Sequence, residues 1–313
     1  MLPGKTGKGC TAMKIGLQII RFDWPGSPAN TGATLAQIAR TADEAGFASL
    51  WVMDHFFQIR FSGPSEDPML EGYSAASFVA AATRRASVGV LVTGVQYRHP
   101  GVLIKTVTTL DVLSGGRAYF GIGAGWFEHE SRGLGVPFPP LATRFAQLEE
   151  TLRLAKQMWA DDRTPFRGQH YQLEDPLCHP QPLRRPHPPI MIGGEGERKT
   201  LRLVAQYGDA CNVYGGSNEA FLGCADGVRH KLAVLEQHCA TLGRPYAEIE
   251  RTVLATVQLG AGGVSVADVL AACERLHNIG VQHIIFNMPD THMLAPLEVF
   301  GREIIPLVRA WGT

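Results

Sequence analysis

The feature that most limits what this chain can fold into is a rhythm. Short apolar runs alternate with longer helical stretches, eight times over. The runs are KIGLQII (14–20), FASLWVM (47–53), ASVGVLVTGV (86–95), RAYFGIGAG (117–125), PIMIGG (189–194), DACNVYG (209–215), TVLATVQLG (252–260) and VQHIIFNM (281–288). They are nearly continuous in apolar residues, as strands are when both faces of a parallel sheet are covered. Between them the spacing predicts helices over 34–46, 73–85, 101–116, 144–160, 197–208, 218–242, 266–280 and 294–311. Gly46 and Gly116 are good helix stops, and Pro100 is a good helix start. Eight such units predict an α/β fold, a single (β/α)8 TIM barrel. A doubly wound sheet would need a topological switch that the sequence does not show.

The barrel is expected to occupy residues 13–313 as one domain, with a proline-rich insertion at about 161–189 that has room for a short hairpin. Residues 1–12 read as a disordered leader, with Met13 as the start of the fold. At 45% hydrophobic and 19% charged, the chain has ample material for a core. Its formal net charge is zero, which gives no general attraction to nucleic acid or an anionic membrane. No apolar run approaches the roughly 18 residues that a membrane span needs. Six cysteines, none in a C-x-x-C pair, read as reduced thiols of a cytoplasmic protein and not as a disulfide framework or zinc site.

In such a barrel function gathers where the strands end. WVMDHFFQ (51–58) puts Asp54 and His55 side by side at the end of an apolar run, and two phenylalanines are poor turn chemistry. Other strands supply Gln18, Thr93-Gly94, the glycine-rich GIGAGWFEHE (121–130), Gly193-Gly194-Glu195-Gly196, Asn212 and Asn287. Each has a plainer reading: Asp54 could be a cap, GIGAG close packing, Asn212 a turn residue. Their common position favours a site. The Gly193–Gly196 stretch is the most specific. Glycines let amides approach a ligand, and the helix that follows exposes N–H groups suited to phosphate; the alternative is a tight turn needing positive φ.

Other chemistries fit poorly. Trp126 occupies the third glycine position of a G-x-G-x-x-G fingerprint, and no G-x-x-x-x-G-K-[ST] loop occurs. The first strand has no H-x-H pair, and His170, His179 and His187 match no metal-ligand spacing, so no metal is expected. No strand end offers the lysine of a Schiff-base aldolase.

The segments WVMDHFF, LVTGVQYRHPGVLIKTVTTLDVLSGGRAYFGIGAGW, FRGQHYQL and PPIMIGGEGERKTLRLVAQYGDACNVYG together resemble the luciferase-like monooxygenase superfamily, and within it the branch that uses the deazaflavin coenzyme F420. The resemblance covers nearly the whole chain from Met13. It implies a coenzyme across the C-terminal mouth of the barrel, with a non-proline cis peptide within Val90-Leu91-Val92. It implies coenzyme contacts from Asp54, Val92 and Thr93 near the ring, from Ala124, Gly125 and His129 along the tail, from Gly193, Gly194, Gly196 and Glu197 at the phosphate, and from Asn212. His55 resembles the family's acid/base histidine, and imidazole suits that duty near neutral pH.

The sequence departs from the F420-dependent glucose-6-phosphate dehydrogenase branch. There a catalytic glutamate follows the G-x-G segment; here Trp126 follows Gly125, and Glu128 and Glu130 are shifted. Trp126, Phe56, Phe57, Phe61 and Trp24 suggest an apolar substrate pocket. The leading expectation is an F420-dependent oxidoreductase moving a hydride to or from a small organic substrate. The alternatives are an FMN-dependent monooxygenase of the same fold and a non-catalytic F420 carrier. The resemblance also implies a homodimer, for which the face of YSAASFVAAA is a candidate.

Overall fold

A computed structural model of the chain describes residues 12–260 and 262–311. The leader expected over 1–12 lies outside the described residues except for Ala12. The strands are β1 (Lys14–Ile19), β2 (Ser49–Val52), β3 (Ser87–Val90), β4 (Thr93–Gly94), β5 (Ala118–Gly123), β6 (Phe166–Arg167), β7 (Gln172–Leu173), β8 (Ile190–Gly193), β9 (Ala210–Ser217), β10 (Glu250–Thr256) and β11 (His283–Asn287). β6 and β7 form the hairpin of the insertion. The others pair in parallel in the order β3-β2-β1-β11-β10-β9-β8-β5-β4, and a β3–β5 pairing closes the ring. Because β4 continues β3 beyond a break, this is a closed barrel of eight strands, as the rhythm predicts.

The helices are α1 (Thr31–Ala45), α2 (Gly72–Ala82), α3 (Pro100–Ser114), α4 (Glu128–Gly133), α5 (Leu141–Trp159), α6 (Thr200–Tyr207), α7 (Glu219–Leu222), α8 (Ala225–Leu242), α9 (Val266–Asn278), α10 (Ala295–Val299) and α11 (Ile305–Ala310). Their ends follow local chemistry. α1 closes on Gly46 at φ 94°, in the left-handed region that glycine tolerates. The Glu71 carboxylate caps α2 by accepting from Ser74 N at 2.7 Å. The expected helix over 218–242 divides into α7 and α8. That over 294–311 also divides: a π turn at Phe300–Ile304 separates α10 from α11. Pro306 lies just beyond and has no N–H to continue the ladder.

Each strand faces two cores. Ile15, Leu17 and Ile19 of β1, Leu50 and Val52 of β2, and Ile284 and Phe286 of β11 join the large core between barrel and helices. The alternate residues point inward. Trp51, Leu91, Tyr119, Met191, Ala210 and Ile285 fill the barrel centre. One layer lower lie Ser49 and His283, and one layer higher Gln18 and Asn287, which are register partners. The plug therefore separates a sealed floor from an open mouth.

The insertion is pinned to the barrel. The Glu150 carboxylate on α5 accepts from the amides of Gln169 at 2.7 Å and Tyr171 at 3.0 Å. Asp111 on α3 accepts from Leu183 N at 2.8 Å. His179 pairs with Asp161 at 3.1 Å, and the His187 ring stacks on Trp159. Among the described residues no His, Cys, Asp and Glu cluster is arranged to hold a metal, and no helix is long and apolar enough to cross a membrane. The five described cysteines are free thiols; Cys10 lies outside the described residues.

Candidate active site

A cavity of about 820 Å³ opens at the C-terminal ends of the strands. Its base is the corner between β3 and β4. There the Leu91–Val92 peptide is cis, inside the tripeptide expected to carry such a bond. Gln18 Nε2 donates to Leu91 O at 2.6 Å and fixes the corner from the first strand. Neighbouring glycines make room for it. A Cβ at Gly121 would sit 2.0 Å from Val90 O, and one at Gly193 would sit 2.8 Å from Val92 Cγ2. Part of the GIGAG signal is thus close packing around the corner. Gly125 differs: its φ is 72°, and a Cβ would meet Gln96 Oε1 at 2.2 Å.

His55 stands in the cavity wall. Its Nδ1 lies 2.6 Å from Glu130 Oε1. Glu130, on α4, is buried. Its Oε2 accepts from Phe56 N at 2.6 Å and Phe57 N at 3.2 Å, and the Tyr97 hydroxyl donates to Oε1. Burial raises the pKa of this carboxyl, but His55, Tyr97 and the Phe56 amide outweigh it and hold Glu130 below the usual carboxylate range. An ionised carboxylate only accepts, so Nδ1 of a neutral His55 carries the proton. Nε2 is then the acceptor left to exchange a proton with a molecule in the cavity. The imidazole sits edge-on to Trp126 and Phe127, at 5.4 and 5.6 Å.

The Gly193–Gly196 loop forms another part of the wall. Gly194 has φ 111°, so the tight-turn reading holds there. The first turn of α6 follows, with no side chain capping its amides. Leu201 N is spent on Gly196 O at 3.1 Å, and the remaining amides with Thr200 form a cradle that suits an anion. Asn212 and Asn287 complete the inner wall. Asn212 donates to Thr252 Oγ1 at 2.8 Å, whereas buried Asn287 Oδ1 has no partner.

The structure brings together His55, Val92, Ala124, Gly125, Gly193, Gly194, Gly196 and Asn212 around the cavity. Four other expected site residues lie off its wall. The Asp54 carboxylate is buried on the Arg98 guanidinium, at 2.6 and 2.9 Å, because a charge removed from water must be paired. Thr93 bonds the Tyr73 hydroxyl at 2.8 Å. His129 is exposed and packs against Phe57. Glu197 turns to α8, where Lys231 Nζ lies at 2.7 Å and His230 Nε2 at 3.0 Å. Of the aromatic residues expected at the pocket, Trp126 and Phe61 line it; Trp24, Phe56 and Phe57 do not. Sequence reasoning missed the roles of Glu130, Tyr97 and Arg98. Its one usable signal was an acid four positions after Trp126.

The sequence model of luciferase-like monooxygenases matches residues 13–285. The chain belongs to this family. Among curated luciferase-like relatives, an F420-dependent glucose-6-phosphate dehydrogenase of Kineococcus radiotolerans is 34% identical over 53% of this chain and 48% of its own length. An FMNH(2)-dependent dimethylsulfone monooxygenase of Pseudomonas putida is 29% identical over 71% of this chain and 61% of its own. The chain spans about half the length of the first curated relatives it matches. Among solved structures, the F420-dependent tetrahydromethanopterin reductase of Methanopyrus kandleri superposes with a TM-score of 0.76 at 15% identity, covering 95% of this chain and all of that one. At such identity the likeness speaks for the shared barrel alone.

Proposed function

We propose that this protein is an F420-dependent oxidoreductase that moves a hydride between the coenzyme and an alcohol or carbonyl, with His55 as acid/base. The observation that carries the reading is His55 in the cavity wall, paired with Glu130 behind it. A buried carboxylate orients the imidazole and leaves its second nitrogen toward the space where a substrate would lie. The cavity suits the coenzyme on its own terms. Gly193, Gly194 and Gly196 line it with backbone and no side chain, and buried Asn287 Oδ1 has no protein partner among the described residues.

Bound there, the coenzyme would supply a hydride acceptor or donor. Val92 and Leu91 would support its ring, Ala124 and Gly125 would line its tail, and the Gly193–Gly196 loop with the α6 amides would hold its phosphate. His55 Nε2 takes the hydroxyl proton of an alcohol during oxidation and returns it to the carbonyl oxygen during reduction. Glu130 holds the ring and stabilises the imidazolium that forms. Several curated relatives named for F420 support the deazaflavin choice. The dimethylsulfone monooxygenase match favours a second reading, an FMN-dependent monooxygenase.

Fluorescence titration of the purified protein with F420 and, separately, FMN tests the choice. Tight F420 with weak FMN binding supports the first reading; the reverse moves the protein to the oxygen-using branch. The same reading includes a cytoplasmic homodimer. α2 carries no charged residue and leaves Phe78 exposed, which suits a second copy. Phe78→Glu is expected to shift a dimer toward monomer in analytical ultracentrifugation.

A further inference from the structure

The wall of the cavity also limits the substrate, an inference that rests on the oxidoreductase reading. Arg21 is the one lysine or arginine among the described residues that line the cavity. Its guanidinium is already taken. Nε lies 2.9 Å from Asp23 Oδ1, and Nη2 binds Oδ2 of the same carboxylate, a two-point clamp. Asp67 and Asp290 also act on Arg21 as negative charges. Asp23 therefore occupies the cation from behind the lining, two further carboxylates add to the negative field at it, and Glu195 is an acid on the wall itself. An anionic substrate group would have to displace Asp23 from Arg21 and enter a cavity whose wall carries Glu195.

The opposite quality is abundant in the same wall. Ile20, Met53, Ile59, Phe61 and Trp126 line the cavity. Phe61 is 90% exposed and Trp126 56% exposed, apolar surface that gains by being covered. Met53, His55, Ile59 and Phe61 all come from the segment that leaves β2, so one stretch of chain carries both the proton-transfer group and an apolar bed beside it.

We propose that the substrate is an uncharged, largely apolar alcohol or ketone of aromatic size, bound on Phe61 and Trp126 beside His55, and not a phosphorylated sugar. In the oxidative direction the carbinol carbon gives its hydride to the deazaflavin, the hydroxyl proton goes to His55 Nε2, and the carbonyl double bond forms. The clamp on Arg21 excludes anions, and the apolar bed supplies the affinity.

The test compares 1-phenylethanol, its ring-carboxylated analogue 4-(1-hydroxyethyl)benzoate, and glucose-6-phosphate as substrates of the F420-loaded protein. Acetophenone and 4-acetylbenzoate are titrated in parallel by calorimetry. 1-Phenylethanol is expected to exceed either anion in kcat/KM by about 100-fold. Asp23→Asn frees Arg21 and should narrow the gap to the carboxylated analogue to about tenfold. Phe61→Ser should raise KM for 1-phenylethanol by about tenfold. If the loaded protein turns over glucose-6-phosphate or the carboxylated alcohol as well as 1-phenylethanol, the proposal falls and the F420 reading stands. If F420 does not bind, that reading falls. Calorimetry then decides the proposal, as it does if none of the alcohols reacts. A preference for acetophenone over 4-acetylbenzoate that Asp23→Asn narrows supports it; equal binding, or none, overturns it.

Discussion

Two of the histidine–glutamate pairs among the described residues stand at opposite ends of the barrel. At the mouth, His55 Nδ1 meets Glu130 at 2.6 Å. At the floor, His283 Nδ1 lies 3.4 Å from Glu250 while its Nε2 lies 2.9 Å from Ser49 Oγ. With a serine, a histidine and a carboxylate in line, the floor looks on paper like a nucleophile triad. Its surroundings say otherwise. His283 and Ser49 are each 1% exposed, Trp51 Nε1 donates to the same Ser49 oxygen at 2.6 Å, and Glu250 also binds Lys14 and the Tyr119 hydroxyl. Both nitrogens of His283 face protein, whereas the mouth pair leaves one nitrogen toward a cavity. The residue types are the same; access to the cavity is what separates the two pairs.

Two substitutions break this comparison in opposite directions, and they carry the largest expected effects. His55→Ala should lower turnover with F420 by about 10³-fold, the scale of a lost general acid/base, while the thermal midpoint stays near that of the parent. His283→Ala should do the reverse. It strips a partner from a buried carboxylate and opens a hole under Trp51, so urea unfolding should report a loss of about 3 kcal/mol. Equal loss of stability in both variants would erase the distinction.

The floor pair also predicts a pH dependence. Burial pushes the Glu250 carboxyl up, but His283 and Lys14 pull it further down, and the net direction is well below its ordinary value of 4.5. A carboxyl depressed in the folded state binds fewer protons there than in the unfolded chain. Its contribution is fully present above that ordinary value and is lost as pH falls below it toward the folded value. Glu250→Gln should flatten the acid limb of a stability-against-pH curve measured by urea unfolding. An unchanged acid limb would count against the pairing.

A smaller effect sharpens the mouth side. Glu130→Gln keeps an acceptor for the Phe56 amide but turns an NH2 toward His55 Nδ1 and the Tyr97 hydroxyl. His55 then loses its orienting acceptor. Turnover should fall by about 30-fold, less than for His55→Ala because the imidazole remains. Coenzyme affinity should change little, since Glu130 is off the cavity wall. A parallel loss of F420 affinity would mean that the loop has collapsed and the residue is merely structural.

The eight-strand rhythm was legible because a strand buried on two faces leaves an unmistakable apolar run, and Gly46 marks a helix end that chemistry dictates. The break in the last helix was read through, although Pro306 lies well inside the expected span, because a proline within a helical pattern can kink a helix as well as end it. In the site, the glycine loop and His55 were readable from strand ends. Glu130 was not. Nothing in EHE tells which acid is buried, because that depends on α4 folding back over Phe56 and Phe57. Arg98 escaped for the same reason: its pairing with Asp54 spans 44 residues and is visible only once β2 and β3 lie side by side. That pairing is also why Asp54, conspicuous in sequence, lies away from the cavity wall.

Glu197 offers the finest test of the rule that access decides. It sits directly after the glycine loop, where the family resemblance places a phosphate contact. Yet its carboxylate binds Lys231 and His230 on α8, and its backbone oxygen accepts from His238 Nε2 at 2.8 Å. A carboxylate would also repel the phosphate it was supposed to hold. Its work is to tether the loop, and the backbone share of that tether survives loss of the side-chain charge. Glu197→Gln should therefore change the F420 dissociation constant by about threefold or less, the scale of a partly exposed ion pair. Gly193→Ala should act on the same constant far more strongly, because its Cβ would press on Val92 at 2.8 Å and move the corner proposed to support the ring. If the two variants weaken binding equally in the same fluorescence titration, the side chain of Glu197 reaches the coenzyme after all, and the wall of the site extends one residue further along the loop.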